Sequence, residues 1–338
     1  MAAHWRVPAG LHATAVRLPV EGELPSFAGG TGWLNSHPLT PSDLRGKVVL
    51  VDFWTYTCIN WLRTLPYLQA WTAKYASQGL VLIGVHTPEF PFEHNPENVR
   101  WALRDMGISY PVATDNNYAV WSAFDNHYWP ALYLADADGK IRYHHFGEEA
   151  YARSEMAIQQ LLAEAGAADV GMDLVSVDPG GLAVAADWET LRSPENYLGY
   201  ERTENLASPG GPVPGAHRYT APDRLLRGEW ALAGDWTMAE QAATLTTAGG
   251  RILCRFRARD VNLVMGPARP GTTVPFRVLL DGQPPGAAHG LDVDAAGAGT
   301  AQRQRLYQLI RQPGPIADRT IEITFPDPGI QGFAFTFG

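Results

Sequence analysis

The sequence predicts two domains of different class, an α/β domain followed by an all-β sandwich. Between about residues 45 and 165, continuous apolar runs alternate with stretches of helical periodicity. After about residue 186, short alternating apolar runs are separated by turn clusters and helical periodicity is almost absent. The length of 338 residues also favours two domains, since one domain typically has ~100–200. We expect a tail over 1–23, the α/β domain over 24–167, a linker over 168–186 and the sandwich over 187–338.

The first strands and helix of the α/β domain follow from local patterns. The first forty residues are rich in Pro, Gly and Ser, which predicts a tail and a short hairpin. Residues 47–53 (KVVLVDF) and 80–85 (LVLIGV) are apolar throughout, as is typical of strands buried on both faces. A helical pattern runs from Cys58 to Gly79 between them. This order requires a crossover connection, so the two strands should be parallel.

The rest of the domain is predicted from capping and turn residues. Asn followed by Pro is favoured at a helix start, and Asp-Gly is typical of a tight turn between two strands. We therefore expect a helix from Asn95 to Gly107, strands over 131–136 and 140–146 joined at Asp138-Gly139, and a last helix from near Ser154 to Gly166.

Composition excludes several classes of function. The net charge is −9, with 26 basic and 35 acidic residues, so no basic surface for nucleic acid is expected. No apolar run approaches the ~18–20 residues of a membrane helix, and residues 1–20 lack the apolar core of a secretory signal. We expect a cytoplasmic protein, or a periplasmic or other extracytoplasmic one if a leader is missing from the sequence. Two cysteines, Cys58 and Cys254, are too few for a disulfide scaffold.

Cys58 is the main candidate for chemistry. It directly follows a predicted buried strand and opens a helix. The free N–H groups and partial positive charge of a helix N-terminus favour the thiolate, so we expect a lowered pKa. The alternative is a buried, inert cysteine, which is how most free cysteines behave.

The surroundings of Cys58 resemble the thioredoxin active site. The resemblance is carried by residues 51–54 (VDFW), by Cys58 at a helix start and by Pro66 eight residues later. Trp129-Pro130, ahead of a strand, is similar to the family's cis-proline loop. The resemblance implies that Pro130 faces Cys58 and helps to hold the substrate backbone.

A closer resemblance covers nearly the whole chain from about Leu24. The insertion between Leu80 and Trp129 is similar to that of TlpA-like redoxins. The runs WTYTCIN, IGVHTPEF, GISYPVATDNNYAVW and YWPALYL resemble the C-terminal portion of DipZ-type thiol–disulfide proteins. SPENYLGYER, RLYQLIR and FAFTFG are similar to that family's second module, a sandwich of the jelly-roll, carbohydrate-binding-module-like type.

The motif departs from the family at one position. The family has Cys-x-x-Cys, whereas this chain has Cys58-Ile59-Asn60-Trp61. A second cysteine resolves the mixed disulfide, and Trp61 cannot do this. Asp52 matches the acid that assists the second cysteine in the family, so its role here is open.

Other candidate residues follow from their expected positions. His86 and Glu89 follow the strand next to that of Cys58, so they should lie nearby, with His86 as a base or as an imidazole satisfied by backbone. Thr55 partly resembles the peroxiredoxin Thr-x-x-Cys element, whose hydroxyl contacts the thiolate or peroxide. We expect the following aromatic residues to form either a substrate-binding rim or ordinary core: Trp54, Tyr56, Trp61 and Trp129.

Three further groups of residues are interpreted as structural. Arg63 is expected on a solvated helix face, and Cys254 in the core of the sandwich. No metal and no other cofactor is expected, because the spacings of the following histidines fit no known ligand set: His94, His127, His144 and His145.

Three functions remain open at this point. The first is a redoxin-like thiol oxidoreductase that uses Cys58 as a lone nucleophile and exchanges with an external thiol such as glutathione. The second is a one-cysteine thiol peroxidase. The third is a non-catalytic binding protein whose sandwich takes carbohydrate or protein. A thiol or disulfide substrate, either protein or small molecule, is the expected partner in the first.

Overall fold

The structure is a computed structural model that describes residues 17–338. The first sixteen residues of the predicted tail lie outside this range. Within it, none of the helices is long and apolar enough to cross a membrane.

The first domain is built on a mixed sheet of seven strands. Its central strands β3, β4 and β5 are parallel, and β3 pairs with β4 from Val48↔Leu80 to Trp54↔His86, which confirms the predicted crossover. Across the sheet the order is β1-β7-β6-β3-β4-β5-β2. The strands are β1 (Gly22–Glu23), β2 (Gly32–Leu34), β3 (Val48–Trp54), β4 (Leu80–His86), β5 (Val112–Thr114), β6 (Ala131–Ala135) and β7 (Lys140–Phe146).

Within the described part of the first domain, five α-helices accompany this sheet. Asn95 caps the third by accepting a 2.9 Å hydrogen bond from the Glu97 N–H, as its sequence predicts. The last helix begins at Tyr151, three residues before the expected start. The helices are α1 (Pro41–Leu44), α2 (Ile59–Tyr75), α3 (Pro96–Asp105), α4 (Ala119–Ala123) and α5 (Tyr151–Glu164).

The expected hairpin near the N-terminus is wrong. β1 pairs with β7 at one edge of the sheet, with Gly22 opposite Ile141. β2 pairs with β5 at the other edge, with Gly32 opposite Thr114. Strands of two and three residues are too short to show periodicity, so the sequence offered no signal for their partners.

The second domain is an antiparallel β structure. The long strand β10 belongs to two groups of strands, pairing with β12 through Trp230–Ala233 and with β11 through Trp236–Met238. The predicted alternation on β12 is confirmed, with Ile252, Cys254 and Phe256 buried. The strands are β8 (Asn196–Tyr197), β9 (Gly215–Tyr219), β10 (Trp230–Met238), β11 (Ala243–Leu245), β12 (Gly250–Phe256), β13 (Asp260–Pro267), β14 (Val274–Leu280), β15 (Ala298–Ala301), β16 (Arg305–Arg311), β17 (Arg319–Phe325) and β18 (Ile330–Phe337).

One apolar cluster continues from the first domain into the second, beside a separate core within the sandwich. The ring of Phe333 on β18 lies 5.3 Å from that of Phe90 and 4.7 Å from that of Phe92, both in the loop after β4. The Arg303 guanidinium lies over the Trp101 ring of α3 at 4.7 Å. Burial of large aromatic rings is strongly stabilising, so this seam holds the sandwich against the edge of the sheet where Cys58 lies.

The chain between the domains follows the first domain's surface. In residues 168–186 the only regular element is a short 3₁₀ turn at Gly181–Ala183. The N–H of Val175 donates to the Glu155 carboxylate of α5 at 2.9 Å and 3.0 Å, and Leu182 packs against the core. Specific contacts therefore fix this segment at several points.

Candidate active site

Cys58 lies between the end of β3 and the start of α2. It is the N-cap residue of α2, and its own N–H donates to the Thr55 carbonyl at 3.2 Å. The thiol is partly exposed, and its Sγ lies 3.8 Å from the Trp129 carbonyl oxygen. The Trp129–Pro130 peptide bond is cis, and Pro130 is buried. The loop before β6 thus lies against the sulfur.

Cys58 faces a cleft of about 270 Å³ between the two domains. The first domain contributes Glu89, Tyr128 and Trp129 to its walls. The sandwich contributes Glu195, Tyr197 and Arg202, with Val264, Ala334 and Thr336 below them. The second domain is therefore part of the site.

A polar contact spans this cleft. The Tyr197 hydroxyl donates to Glu89 Oε1 at 2.9 Å, and Arg202 Nη1 donates to the same oxygen at 2.8 Å. The Arg202 guanidinium stacks 3.5 Å above the Tyr197 ring. Glu195 receives a 3.2 Å hydrogen bond from Tyr197. Within residues 17–338 no cationic side chain forms an ion pair with Glu195.

The loop that carries Glu89 is held by a buried carboxylate. Glu93 accepts from the N–H groups of Glu89 at 2.7 Å and Phe90 at 2.9 Å, and from the Thr57 hydroxyl at 2.6 Å. Burial raises the pKa of Glu93 to about 7. Glu93 thereby ties the loop to the residue just before Cys58.

The expected lowering of the Cys58 pKa is wrong. Burial raises it well above the ordinary value, and the nearby charges of Glu89 and Glu195 raise it further. The backbone N–H groups of Trp61 and Asn60 act in the opposite direction, as expected at a helix N-terminus. Loss of hydration and two carboxylates outweigh them, so the resting thiol is protonated.

Trp61 lies three residues after Cys58 and is buried in the core of the first domain. Its Nε1–H donates a 2.9 Å hydrogen bond to Asp52 Oδ2, and both side chains are fully buried. The indole stacks on Trp54, with ring centroids 4.3 Å apart. Asp52 is therefore the buried acceptor for Trp61, which answers the question left open by the sequence.

The expected aromatic rim is wrong in three of four positions. Trp54, Tyr56 and Trp61 are at most 1% exposed and belong to the core of the first domain. The reason is that the end of β3, the loop after it and the first turn of α2 direct Trp54, Tyr56 and Trp61 into this core. Trp129 alone is partly exposed, and its Nε1 donates to the Thr87 carbonyl at 3.1 Å.

His86 and Thr55 are not placed to act on Cys58. Both are fully buried, and neither lines the cleft. The His86 ring lies beside Trp54 and Tyr56, and neither ring nitrogen has a hydrogen-bond partner within the described residues. Burial lowers the pKa of His86 to about 3, so the imidazole is neutral.

Arg63 is buried, and the predicted solvated position is wrong. Its Nη1 forms a 2.8 Å ion pair with Glu148, and Nη2 reaches the Phe337 carbonyl at 3.4 Å. The adjoining sandwich covers this face of α2, which the helix pattern alone could not indicate. Cys254 is fully buried in the core of the sandwich, as predicted.

The remaining candidates do not converge on a site. Among the described residues no group of three or more His, Cys, Asp or Glu side chains could hold a metal ion. Among the large aromatic side chains of the second domain, Trp230, Trp236 and Tyr307 are buried, and Trp188 is exposed.

Glu195, Tyr197 and Arg202 are site residues that reasoning from the sequence missed. They all lie in the run SPENYLGYER, which carries part of the family resemblance. A conspicuous polar run at the start of the second domain was the available signal. Its position opposite Cys58 depends on domain docking, which no local pattern records.

Comparisons with known proteins agree with this architecture. Residues 19–161 match the Redoxin family, and residues 193–338 match the family described as Thioredoxin like C-terminal domain. Protein DipZ of Mycobacterium tuberculosis is 37% identical over 330 residues, which are 96% of this chain and 44% of that protein. The chain thus spans less than half of that relative's length.

Two further similarities cover the first domain. Thiol-disulfide oxidoreductase YkuV of Bacillus subtilis is 27% identical over 141 residues, which are 42% of this chain and 95% of YkuV. A solved thioredoxin-like protein in the oxidized form is 28% identical, with a TM-score of 0.40, covering 42% of this chain and 96% of the other.

Proposed function

We propose that this chain is a thioredoxin-like thiol–disulfide oxidoreductase that exchanges disulfides through Cys58 alone; the match of residues 19–161 to the Redoxin family and the similarity to YkuV support this proposal. The Cys58 thiolate attacks one sulfur of a disulfide, a mixed disulfide forms, and the other sulfur leaves as a thiol. An external thiol, such as glutathione or a protein thiol, then attacks the mixed disulfide and releases Cys58.

One observation carries this proposal. Cys58 faces an open cleft, while the position three residues later is filled by the buried Trp61. The only other cysteine, Cys254, is buried in the separate core of the sandwich. The fold therefore offers a reactive position with no internal thiol beside it, which supports resolution by an external one.

A turnover assay tests the proposal. The full chain is mixed with a small disulfide and a second, coloured thiol, and the exchange rate is compared among wild type, Cys58→Ser and Cys254→Ser. We expect Cys254→Ser to keep the activity and Cys58→Ser to reduce it to the uncatalysed rate. Equal activity of wild type and Cys58→Ser would contradict the proposal.

A non-catalytic binding protein is a second candidate, favoured by the raised pKa of Cys58. Because only the thiolate is nucleophilic, a thiol held protonated reacts slowly unless its substrate changes the surroundings. Full biological activity of Cys58→Ser would support this candidate. Fast sulfenic acid formation with hydrogen peroxide would point instead to the one-cysteine peroxidase.

The partner of the sandwich and the compartment of the protein stay predictions. Exposed Trp188 leaves room for a carbohydrate or protein partner at a surface away from the cleft. Titration of the full chain with oligosaccharides, read by Trp188 fluorescence against a Trp188→Ala variant, tests the carbohydrate alternative.

A further inference from the structure

We propose that the cleft selects substrates that carry a positive charge next to the reacting sulfur, with the second domain's Glu195 as the specificity-determining residue. The inference rests on the proposed exchange at Cys58 and names its class of substrate. The substrates that we propose are disulfides with an amine or guanidinium group within a few bonds of the sulfur. This group can belong to a small aminothiol or to a cysteine beside Lys or Arg in a polypeptide.

The charges on the cleft walls carry the argument. Glu89 is compensated, because Arg202 pairs with it at 2.8 Å and Tyr197 donates to it at 2.9 Å. Glu195 lines the same cleft and forms no ion pair within the described residues. It shares the Tyr197 hydroxyl with Glu89, and Arg202 and Arg63 attract its charge only from a greater distance. One carboxylate charge is thus left facing the space that a substrate of Cys58 must enter.

The same charge acts on the chemistry. Glu195 opposes ionisation of Cys58, since two negative charges would then face one cleft. A cation bound at Glu195 would remove this opposition when the substrate arrives. An anionic disulfide, such as dithiodipropionate, would instead increase the negative charge in the cleft. The cleft therefore favours cationic substrates both in binding and in the attack itself.

The exchange step balances without any further reactant. Cys58 loses its proton to solvent, and its thiolate attacks one sulfur of the disulfide. A bond forms between Cys58 Sγ and the attacked sulfur as the original S–S bond of the substrate breaks. The departing sulfur leaves as a thiolate and takes a proton from solvent.

Three small disulfides of similar size test the selection: cystamine (cationic), bis-hydroxyethyl disulfide (neutral) and dithiodipropionate (anionic). Adduct formation at Cys58 is timed in the Cys254→Ser chain at pH 8, above the pKa of Glu195, which desolvation in the cleft raises to about 7. Each rate is divided by the rate at which the same disulfide reacts with free mercaptoethanol. This division removes the differences in intrinsic reactivity among the three disulfides. Two short peptide disulfides, one with Lys and one with Glu beside the cysteine, are timed in the same way. Faster reaction of the Lys peptide would indicate that the positive charge can come from a polypeptide substrate as well as from a small aminothiol.

We expect the normalised rate with cystamine to exceed that with dithiodipropionate roughly tenfold at low salt, and the ratio to shrink at high salt. Glu195→Gln should bring the ratio close to one. Arg202→Gln should increase it, because Glu89 then loses its cation. Glu189→Gln, which removes the same charge from an exposed position outside the cleft, should leave the ratio unchanged.

Two different failures are distinguishable. If all three disulfides add to Cys58 at equal normalised rates, or if Glu195→Gln keeps the wild-type ratio, the charge selection is wrong and the exchange function stands. If none of the disulfides adds to Cys58 faster than to a free thiol of the same pKa, the proposed function fails and this inference fails with it.

Discussion

The Trp61 indole donates a 2.9 Å hydrogen bond to Asp52, in the interior directly behind the helix turn that begins at Cys58. Both side chains are fully buried, and the indole also stacks on Trp54. A bulky ring with a hydrogen-bonded N–H therefore occupies position 61, in the first turn of the helix that Cys58 caps. Cys58 therefore has a buried indole, and no second thiol, three residues later in the chain.

Replacing Trp61 by cysteine should restore an internal resolving thiol, since position 61 lies about one helical turn after Cys58. We expect Trp61→Cys to form an intramolecular disulfide when oxidised, measured by thiol counting and intact mass. The variant should lose about 3–5 kcal/mol in free energy of unfolding, because the indole leaves a cavity. Trp61→Ser has the same cavity without the sulfur and should remain unable to resolve. Absence of the disulfide in oxidised Trp61→Cys would contradict the assigned geometry.

Asp52 should make stability fall as the pH rises. Burial raises its pKa from 3.8 to about 7, and Oδ1 has no hydrogen-bond partner within the described residues. Between pH 4 and 7 the folded protein therefore holds a proton that the unfolded chain has lost. Its stabilising contribution is complete below about pH 4 and is lost as the pH rises to about 7.

Urea unfolding of wild type and Asp52→Asn at several pH values isolates this effect. The free energy of unfolding of wild type minus that of the variant should fall with pH across this window, by at most about 1.4 kcal/mol per pH unit. Glu93 and His86 also titrate with shifted pKa values, but their contributions cancel in the difference. A difference that stays constant from pH 4 to 7 would exclude a buried protonated Asp52.

Alkylation of Cys58 should report a raised pKa. In the Cys254→Ser chain, we expect the rate with iodoacetamide, a neutral reagent, to reach half its maximum above the ordinary cysteine value of ~8.5. Glu195→Gln should lower this midpoint, since it removes a carboxylate charge near the thiol. Glu189→Gln serves as the control and should leave the midpoint in place. A midpoint well below the ordinary value would restore the expectation from the helix N-terminus.

The pair of Arg63 and Glu148 should anchor the sandwich to α2. Both side chains are at most 5% exposed, and Arg63 also reaches the Phe337 carbonyl. Arg63→Met should cost about 3–5 kcal/mol, because Glu148 is left buried without its partner. Adding Glu148→Gln should recover part of this loss. Arg251→Met, which breaks a more exposed pair with Glu322, should cost only about 0–1 kcal/mol in the same unfolding experiment.

The sequence predicted those parts of the fold that local patterns specify. The parallel pair of β3 and β4, the helix after Cys58 and the Asn95 cap all follow from periodicity and capping residues over short stretches. Which side chains face the cleft could be predicted from the sequence only in part. Apolar aromatic residues near a cysteine can face either the cleft or the sheet, and no period distinguishes Trp61 in the core from Trp129 at the surface.

The direction of the pKa shift of Cys58 could not be predicted from the sequence for a related reason. The helix N-terminus is a local feature and suggested a lowered pKa. The opposing charge of Glu195 and the contacts of Tyr197 come from the second domain, whose Tyr197 bonds a residue 108 positions earlier in the chain. Burial of Arg63 has the same origin, since the sandwich covers its helix face. Domain docking therefore decides the chemistry of this site.

Intact mass analysis of the wild-type chain after brief treatment with cystamine shows whether Cys58 reacts without an internal partner. We expect a single adduct on Cys58, mapped by peptide digestion, that persists after the free disulfide is removed and disappears only when an external thiol is added. Spontaneous loss of the adduct with formation of a Cys58–Cys254 disulfide would contradict the claim that Cys58 has no internal partner. Failure of any adduct to form at Cys58 would contradict its role as the nucleophile.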